Sequence, residues 1–398
     1  MKIAMVHLNL TTESGDPRMF FSICQSLRTL GHEVHIYTAE HNPMCFPDLS
    51  RNFPIHVVAP PAPLDTGFDA RGLIGRVKAK LYRGRLLSNA ARRIGDVLPP
   101  DLDVLVCQND ASYELGVGYK KKNHRARIVW IMNNAPFYSG PKGNVIVKLL
   151  SAFSALWERH KVAHYLRGID VVFVHDIERK KMIDALGVSS IVLRIPVDFE
   201  SFYVPVKKRL SKDKKVTLLG VGSLSPMRRF EDIILAATFL RKKGYDARVE
   251  LVCKDFWKDT KYRSELISLI RDLYMDPYVQ FHFEGVSESV LRDIQRNSDV
   301  FIFPNHVNIW GMAALEAMAA GLPLVVSRVT SVAEVLNDGE SALMCEPENP
   351  DDIALKVRAL IDNPALYEKI GEMGQHFVKE NLTWEKYSKD FIGAIENK

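Results

Sequence analysis

The stretch from 301 to 327, FIFPNHVNIWGMAALEAMAAGLPLVVS, contains the residues best suited to chemistry. Its pattern predicts a buried strand, a loop, a helix that starts near Gly311, a glycine stop and a second buried strand. Such a helix offers the free amides of its first residues, Gly311, Met312 and Ala313, to an anion such as phosphate. Glu316 lies one turn inside the helix, where its carboxylate could accept hydrogen bonds from hydroxyl groups. A plain strand–helix crossover with a solvated glutamate fits the local pattern equally well.

Strand and helix signals alternate along the chain around this stretch. Lys2–His7 is a β-rich run, a helix capped by Asp16 follows, and Val34–Tyr37 is the next strand. Strand–helix–strand units favour a parallel sheet. The charged stretch 207–215, KKRLSKDKK, is typical of a linker, and the alternation begins again with Val216–Val221. We therefore expect two doubly wound α/β domains, with ligands at the carboxyl ends of the strands and in the cleft between the domains.

Composition excludes several classes of protein. Of the 398 residues, 47% are hydrophobic and 25% charged, an ordinary globular balance. No apolar run reaches the roughly 18 residues needed to span a bilayer, and the N-terminus is typical of a first strand and not of a signal peptide. Five scattered cysteines without a C-x-x-C pair favour reduced thiols in a cytosolic protein over structural zinc. The absence of G-x-G-x-x-G and Walker motifs counts against a dehydrogenase and a P-loop nucleotidase.

The sequence resembles glycosyltransferase family 4, the retaining enzymes of the GT-B fold. The family hallmark, roughly F-P-S-x-x-E-G-F-G-x-x-x-x-E-A-M-A-x-G-x-P-V, is matched in register by Phe303, Pro304, Gly311, Glu316, Ala317, Met318, Ala319, Gly321 and Pro323. Further stretches fit in the right order, at 15–38, 194–202, 216–237, 278–304 and 331–357. The resemblance therefore covers nearly the whole chain.

The resemblance implies three regions. These are an N-terminal acceptor-binding Rossmann-like domain over 1–205, a nucleotide-sugar-binding Rossmann-like domain over 206–380, and a last helix over 381–398 that packs back on the N-terminal domain. The two domains of a GT-B protein face each other across a cleft.

On the donor side, the resemblance implies that Glu316 binds the nucleotide ribose. Asn308 stands where the family's first glutamate contacts the transferred sugar, and Ser223 stands where an arginine of the diphosphate clamp is usual. Arg228 keeps the second clamp charge, while Arg229 either adds a further charge or is a solvated residue at a helix start. We expect Arg228 and Glu316 to be catalytic. The expected donor-binding set is Gly15, Gly222, Ser223, Arg229, Val286, Asn308, Trp310, Gly311, Met312 and Ala313.

On the sugar and acceptor side, Gln108 occupies the place of a family histidine, and Asn133 and Asn134 occupy a second family site. These amides suit hydroxyl groups but are poor general bases. In retaining enzymes of this type the leaving phosphate is thought to take the acceptor proton, so that stabilising the departing diphosphate remains the essential task. Arg18 either reaches a phosphate or is a surface residue. The resemblance implies neither a metal nor another cofactor.

The net charge of +5 is concentrated in one segment. Arg71–Arg93 carries eight basic residues and no acidic one, and Lys120–Arg127 adds five more. The first segment also contains apolar residues and is interrupted by glycines at 72, 75 and 84. Such a segment can lie on an anionic membrane surface or be a solvated face, whereas its few aromatic residues make nucleic acid the weakest alternative. We expect a cytoplasmic protein, peripheral on the inner membrane face.

These observations predict a retaining transferase that moves a hexosyl group from a UDP- or GDP-linked sugar to a lipid-linked or cell-surface glycan. Asn308, Ser223 and Gln108 replace three usual polar anchors, and they favour an alternative: an accessory subunit that binds nucleotide sugar but turns over poorly. An epimerase or phosphorylase of the same fold has no support, because the matching register is that of the transferases. The donor sugar and its base remain open.

Overall fold

The computed structural model describes residues 1–60, 62, 64, 72–133, 145–206, 215–255 and 260–397, with the backbone alone for 72–81, 110 and 145–154. The chain forms two compact units: unit 1 is Met1–Arg194 with Glu385–Lys398, and unit 2 is Ile195–Trp384. The division falls after 194 and not after 205, because the segment that begins at Ile195 bonds within unit 2. For example, the carbonyl of Val204 in this segment accepts a hydrogen bond at 2.7 Å from the side-chain amide of Gln375, which belongs to unit 2. Of the expected linker, 207–214 lies outside the described residues.

Unit 1 contains a seven-stranded parallel sheet in the order β5-β3-β1-β6-β7-β8-β9 and a two-stranded one, β2-β4. The strands are β1 (Lys2–Val6), β2 (Asn9–Leu10), β3 (Glu33–Thr38), β4 (Glu40–His41), β5 (Ile55–Val57), β6 (Val104–Gln108), β7 (Arg127–Met132), β8 (Val171–Val174) and β9 (Ser190–Val192). Central strands such as β8, VVFV, are buried along their whole length, as expected for a parallel sheet covered on both faces.

The helices of unit 1 connect these strands as crossovers. They are α1 (Gly15–Thr29), α2 (Pro47–Ser50), α3 (Gly72–Val97), α4 (Leu115–Lys122), α5 (Val145–Leu166) and α6 (Ile177–Asp184). The expectation that Asp16 caps the first helix is wrong. Ser14 is the N-cap residue of α1, and the Asp16 carboxylate bonds to strand ends instead.

The basic segment after residue 71 is a single helix, α3, and the glycines do not interrupt it. Arg71 lies outside the described residues. A glycine inside a helix lowers its stability by up to about 1 kcal/mol relative to alanine. Burial of the face formed by Leu86, Ala90 and Ile94 outweighs this cost. Arg83, Arg85, Arg92 and Arg93 project from the exposed part of the helix.

Unit 2 contains a six-stranded parallel sheet in the order β12-β11-β10-β13-β14-β15. The strands are β10 (Lys215–Ser223), β11 (Asp246–Lys254), β12 (Val279–His282), β13 (Val300–Phe303), β14 (Leu324–Ser327) and β15 (Leu343–Cys345). The helices are α7 (Phe199–Phe202), α8 (Phe230–Lys242), α9 (Thr260–Asp272), α10 (Glu288–Asn297), α11 (Met312–Ala319), α12 (Pro350–Asp362) and α13 (Pro364–Asn381). Between β14 and β15 the chain forms a 3-10 turn, Ser331–Val335. A core of aliphatic side chains joins β10 and β11 to α8 and α12.

The last helix, α14 (Trp384–Glu396), belongs to unit 1 from Glu385 onward. Its fully buried Phe391 stacks on Phe173 of β8, with ring centroids 5.0 Å apart. Residues just before it stay with unit 2, where the Val197 amide donates to the Leu382 carbonyl at 3.2 Å. No helix of the described part of the chain is long and apolar enough to cross a membrane.

Candidate functional site

The first residues of α11 lie at the carboxyl edge of the unit 2 sheet, directly after β13. Gly311 is the N-cap residue, with φ of +73°, a left-handed conformation that favours glycine. A Cβ atom at 311 would lie 2.5 Å from Cζ of Phe303, so the helix start packs tightly against the ring that ends β13. The N-cap residue is a glycine, so it has no side chain with which to cap the first amides of α11.

Arg228 lies against the same aromatic ring. It closes the 3-10 turn Pro226–Arg228, which follows β10, and its guanidinium carbon is 6.0 Å from the centroid of Phe303. A Cβ atom at Gly222 would be 3.1 Å from Arg228 Nε, so the glycine at the end of β10 makes room for the arginine. Gly222, Phe303 and Gly311 thus bring one guanidinium and one helix N-terminus to the same ring.

Among the described residues, no carboxylate offsets the positive charge of Arg228. Its Nε is buried and has no hydrogen-bond partner among the described residues. Burial lowers the pKa of Arg228 to about 10, and no charge in the described part of the molecule offsets this effect. The group is still protonated near neutral pH. Because a buried charge without a partner is costly, this arrangement favours binding of an anion.

Arg229, in contrast, is fully engaged by carboxylates. Its Nε and Nη2 donate to the two oxygens of Asp232 at 2.9 and 2.8 Å, and its Nη1 lies 3.0 Å from Glu231. The pairing anchors the first turn of α8. It does not support the expected contribution of Arg229 to a phosphate site, and Arg228 is the guanidinium that lies against Phe303.

The loop between β13 and α11 contains the remaining motif residues. Glu316 is 6% exposed on α11, and Asn308 accepts a hydrogen bond from the Ser331 hydroxyl. Trp310 is buried, and its indole N–H donates to the Ile195 carbonyl at 2.9 Å. That bond fastens the loop before α11 to the segment at the start of unit 2.

The other expected donor residues are spread over both units. Ser223 ends β10, Met312 and Ala313 begin α11, and Val286 follows β12 in the loop before α10. Gly15 begins α1 in unit 1, where a Cβ atom would meet nothing within 4 Å, so no close approach inside this unit requires a glycine there.

The sequence did not predict two buried polar groups at the carboxyl edge of the unit 2 sheet. Asn305 follows β13 and Ser327 ends β14, and neither the Asn305 Nδ2 nor the Ser327 Oγ has a hydrogen-bond partner in the described structure. Their position just after apolar strands was the available signal. Both groups leave hydrogen-bonding capacity unused at the carboxyl edge of this sheet.

In unit 1, polar groups at the carboxyl ends of neighbouring strands meet at Asp16. Oδ1 accepts from Gln108 Nε2 at 3.1 Å and from Asn133 Nδ2 at 2.5 Å. Oδ2 accepts from Asn109 Nδ2 and lies 3.2 Å from His7 Nε2. Burial acts to raise the pKa of Asp16, but His7 and the amides of Gln108 and Asn133 outweigh it and hold the pKa below its ordinary value.

The expected contacts on the sugar and acceptor side change accordingly. Gln108 is 0% exposed and is therefore a support for Asp16, not a direct contact for a sugar. Asn133 remains partly exposed and bridges Asp16 to His175. Arg18 lies in the first turns of α1 and is half-buried. Asn134 lies outside the described residues.

The structure also bears on metal and redox chemistry. All five cysteines are buried and free, which fits the expectation of reduced thiols. Among the described residues, no three or more histidine, cysteine, aspartate and glutamate side chains are grouped so that they could hold a metal ion.

Comparison with solved structures places the fold in a known class. The chain superposes over its whole length on Anabaena HepE in complex with UDP and glucose, with a TM-score of 0.75 at 13% identity and all of that chain covered. It also superposes on the sucrose-phosphate synthase of Thermosynechococcus elongatus, with a TM-score of 0.76 at 15% identity, covering all of this chain and 98% of the other. The predicted α/β fold with two Rossmann-like domains of the GT-B class is thereby confirmed.

Sequence comparison finds a family match in the C-terminal part of the chain. Residues 205–377 match the family model of glycosyl transferases group 1, and the match lies within unit 2. Mannosylfructose-phosphate synthase of Agrobacterium fabrum is 24% identical over 196 residues, 48% of this chain and 43% of the relative. D-inositol 3-phosphate glycosyltransferase of an Arthrobacter species is 30% identical over 168 residues, 40% of this chain and 37% of the relative. The matches span less than half the length of these two relatives.

Proposed function

We propose that this protein transfers a glycosyl group from a nucleotide-sugar donor to an acceptor hydroxyl. The observation that carries the proposal is Arg228, whose buried Nε has no hydrogen-bond partner among the described residues, on the same Phe303 ring as the glycine that begins α11. A departing nucleoside diphosphate gains negative charge in the transition state, and fixed donors aimed at that charge lower the barrier. The group 1 domain over 205–377 and the UDP and glucose held by the similar Anabaena protein support this proposal.

Within the proposal, Arg228 and the amides of Met312 and Ala313 bind the diphosphate. Glu316 accepts hydrogen bonds from the ribose hydroxyls, and Asn308 contacts the transferred sugar. The reaction retains the anomeric configuration, and the leaving phosphate takes the acceptor proton. Since the arginine and the helix amides supply the positive potential, the proposal needs no metal ion.

For the acceptor we propose a lipid-linked or cell-surface glycan reached at the inner membrane face. The exposed arginines of α3 support this choice, because basic side chains on one helix attract anionic lipid. Similarity to a mannosylfructose-phosphate synthase and to a D-inositol 3-phosphate glycosyltransferase favours a competing acceptor, a small phosphorylated sugar or polyol.

A second function, a nucleotide-sugar-binding accessory subunit with weak turnover, rests on two substitutions. Asn308 brings no carboxylate to the transferred sugar and is already bonded to Ser331. Ser223 brings no charge to the end of β10, and Arg229 is paired with carboxylates. Of the arginines expected to bind the diphosphate, Arg228 is therefore the one that is not paired with carboxylates within the described residues.

The proposal is tested by binding and then by turnover. A thermal-shift screen against UDP, GDP and their sugar conjugates identifies the donor, since a ligand at 100 times its Kd stabilises by about 2.7 kcal/mol. Release of free UDP or GDP is then measured with phosphorylated sugars and lipid-linked glycans as acceptors. Glu316→Gln is expected to reduce turnover at least tenfold, whereas Glu372→Gln, on the exposed face of α13, leaves it unchanged.

The outcomes separate the two functions. Binding with nucleotide release supports the transferase, and binding without release for any acceptor supports the accessory subunit. If none of the nucleotides shifts the melting temperature, both functions are refuted. Full turnover by Glu316→Gln would show that the site has been assigned to the wrong residues.

A further inference from the structure

Helix α5 of unit 1 exposes two large apolar side chains next to each other. Leu156 is 60% exposed and Trp157 is 53% exposed, although both lie within a 22-residue helix. In the sequence, the ten residues of the helix at 145–154, VIVKLLSAFS, contain one charged residue. Single exposed apolar residues are common on protein surfaces, whereas neighbouring ones form a patch that can bind a partner or a membrane.

A groove of about 470 Å³ runs along the same side of α5, beside the end of α6. Its lining residues are Leu156, Arg159, His160, Ala163, His164, Arg167, Ala185 and Leu186. Those of α5 recur every three or four residues and therefore form one stripe along the helix. Arg159 also donates to the Ala185 carbonyl at 3.4 Å. The groove thus combines aliphatic side chains with guanidinium and imidazole groups.

The charge of this stripe is positive. Among the described residues that line the groove, none is acidic, and the side chains of Arg159 and Arg167 are exposed. Glu158 follows Leu156 by two residues, and at 3.6 residues per turn this places it on the opposite side of the helix. The two guanidinium groups therefore border exposed apolar side chains, with no carboxylate on the same stripe of α5.

Helix α5 is a neighbour of the basic helix α3. The Ser88 hydroxyl of α3 donates to Glu114 at 2.9 Å, and Lys161 Nζ of α5 lies 2.5 Å from the same carboxylate. Leu86 of α3 and Val162 of α5 belong to one core cluster of unit 1. The exposed arginines of α3 and of α5 are thus carried by two neighbouring helices of one unit.

An anionic bilayer offers a partner for each kind of side chain in this stripe. Lipid phosphates attract basic residues, aliphatic side chains enter the boundary of the acyl chains, and tryptophan prefers the interface between head groups and chains. A single-stranded nucleic acid would instead use several aromatic side chains along a basic groove. Among the described residues of this stripe and its flank, Trp157 is the one exposed aromatic ring.

We propose that α5 binds the surface of an anionic phospholipid bilayer through Leu156, Trp157, Arg159 and Arg167, which we call the α5 face. Leu156 and Trp157 enter the head-group region, and the two arginines bind lipid phosphates. The inference rests on the proposed location at a membrane and adds an apolar contact to the basic one of α3. Salt screens the arginines but not the apolar contact, so part of the binding persists at high ionic strength.

The first test measures co-sedimentation of the full chain with phosphatidylcholine vesicles that contain or lack phosphatidylglycerol. We expect binding to the vesicles with phosphatidylglycerol. Leu156→Ser with Trp157→Ser should weaken it at least about tenfold, because two apolar side chains no longer enter the bilayer. The control, Leu355→Ser with Tyr274→Ser, changes two exposed apolar residues of unit 2 and should bind like the wild type. Equal binding by all three proteins overturns the proposal.

The charges of the α5 face are tested separately. Arg159→Gln with Arg167→Gln should weaken binding to the phosphatidylglycerol vesicles by about 30-fold at low salt, and less at high salt. The wild type should retain part of its binding at high salt, whereas Leu156→Ser with Trp157→Ser should lose it. Complete release of the wild type by salt would show that the apolar residues stay outside the bilayer and would overturn the proposal.

A fluorescence measurement locates the contact at Trp157. Brominated phosphatidylglycerol quenches a tryptophan that lies among the lipid chains, so the fluorescence of the wild type should fall when it binds. Trp157→Phe keeps an aromatic apolar side chain and should still bind, but most of the quenching should be lost. Quenching that is unchanged in Trp157→Phe would place the contact elsewhere and overturn the proposal.

The remaining outcomes separate this inference from the proposed function. If the wild type binds vesicles and Arg83→Gln with Arg85→Gln weakens binding while the α5 variants do not, this inference alone is overturned. If the wild type binds no anionic vesicle, the membrane location is wrong as well, whereas the transferase is still judged by nucleotide binding and release. Self-association that Leu156→Ser with Trp157→Ser abolishes, without any vesicle binding, would assign the α5 face to a second copy of the chain.

Discussion

Replacing Arg228 by methionine is expected to stabilise the free protein and to weaken nucleotide binding. Methionine has a similar flexible stem but no charge, so it removes a half-buried cation whose Nε has no hydrogen-bond partner among the described residues. The fall of the pKa of Arg228 to about 10 corresponds to a cost of at most about 3 kcal/mol for keeping it charged in the folded state. Each kcal/mol recovered raises Tm by about 2–4 °C in a domain of 150–250 residues.

The same substitution removes the charge-assisted bonds to a diphosphate. Such bonds are worth about 1.5–3 kcal/mol, which corresponds to a loss of about 10- to 150-fold in affinity for UDP or GDP. Differential scanning calorimetry gives the first quantity and isothermal titration the second. A functional residue that destabilises the free protein is the known origin of a trade-off between stability and activity.

Arg229→Met is the matched control, because it removes the same charge one residue along the chain. Asp232, whose side chain is fully buried, would lose its bidentate partner, at a cost of up to about 3 kcal/mol. We therefore expect a lower Tm and unchanged nucleotide affinity, the opposite signature. A destabilised Arg228→Met protein that binds UDP and GDP as tightly as the wild type would refute the reasoning.

Three further predictions concern other elements. Gly311→Ala is expected to lower Tm and weaken nucleotide binding, whereas Gly244→Ala, also at positive φ but with free space around it, costs about 1 kcal/mol and leaves binding intact. The pKa of His175 is lower in the folded than in the unfolded state, because the side chain is buried. The free energy of unfolding should therefore fall by up to about 3 kcal/mol as the pH drops from 6.5 to 4. Urea titrations of His175→Phe should lose this pH dependence. Arg83→Gln with Arg85→Gln should weaken binding to anionic liposomes by about 30-fold at roughly 1 kcal/mol per charge, and unchanged co-sedimentation would contradict the membrane proposal.

The sequence predicted the fold of both units from local signals. The apolar run Val34–Tyr37 and the glycine stop at Gly321 are properties of short segments, and the structure places a strand and a left-handed residue there. The start of α11 at Gly311 was predictable for the same reason.

What the sequence could not predict depends on partners that are distant along the chain. Asp16 precedes a proline and so has the pattern of a helix cap, yet its partners at 108 and 133 come from two other strands. The Trp310 indole bonds to Ile195, 115 residues away. Arg229 could have been interpreted better, because an aspartate three residues later on a helix is a favourable partner.

The discontinuity of unit 1 has a consequence for how the protein forms during synthesis. The ribosome completes all of unit 2 before it makes α14, which supplies Phe391 to the core around Phe173. Part of an apolar sheet face of nascent unit 1 therefore stays uncovered while nearly two hundred further residues are translated. This translation takes roughly 10 to 40 s at ordinary elongation rates. Chains arrested before residue 385 should accordingly be good substrates for chaperones and proteases.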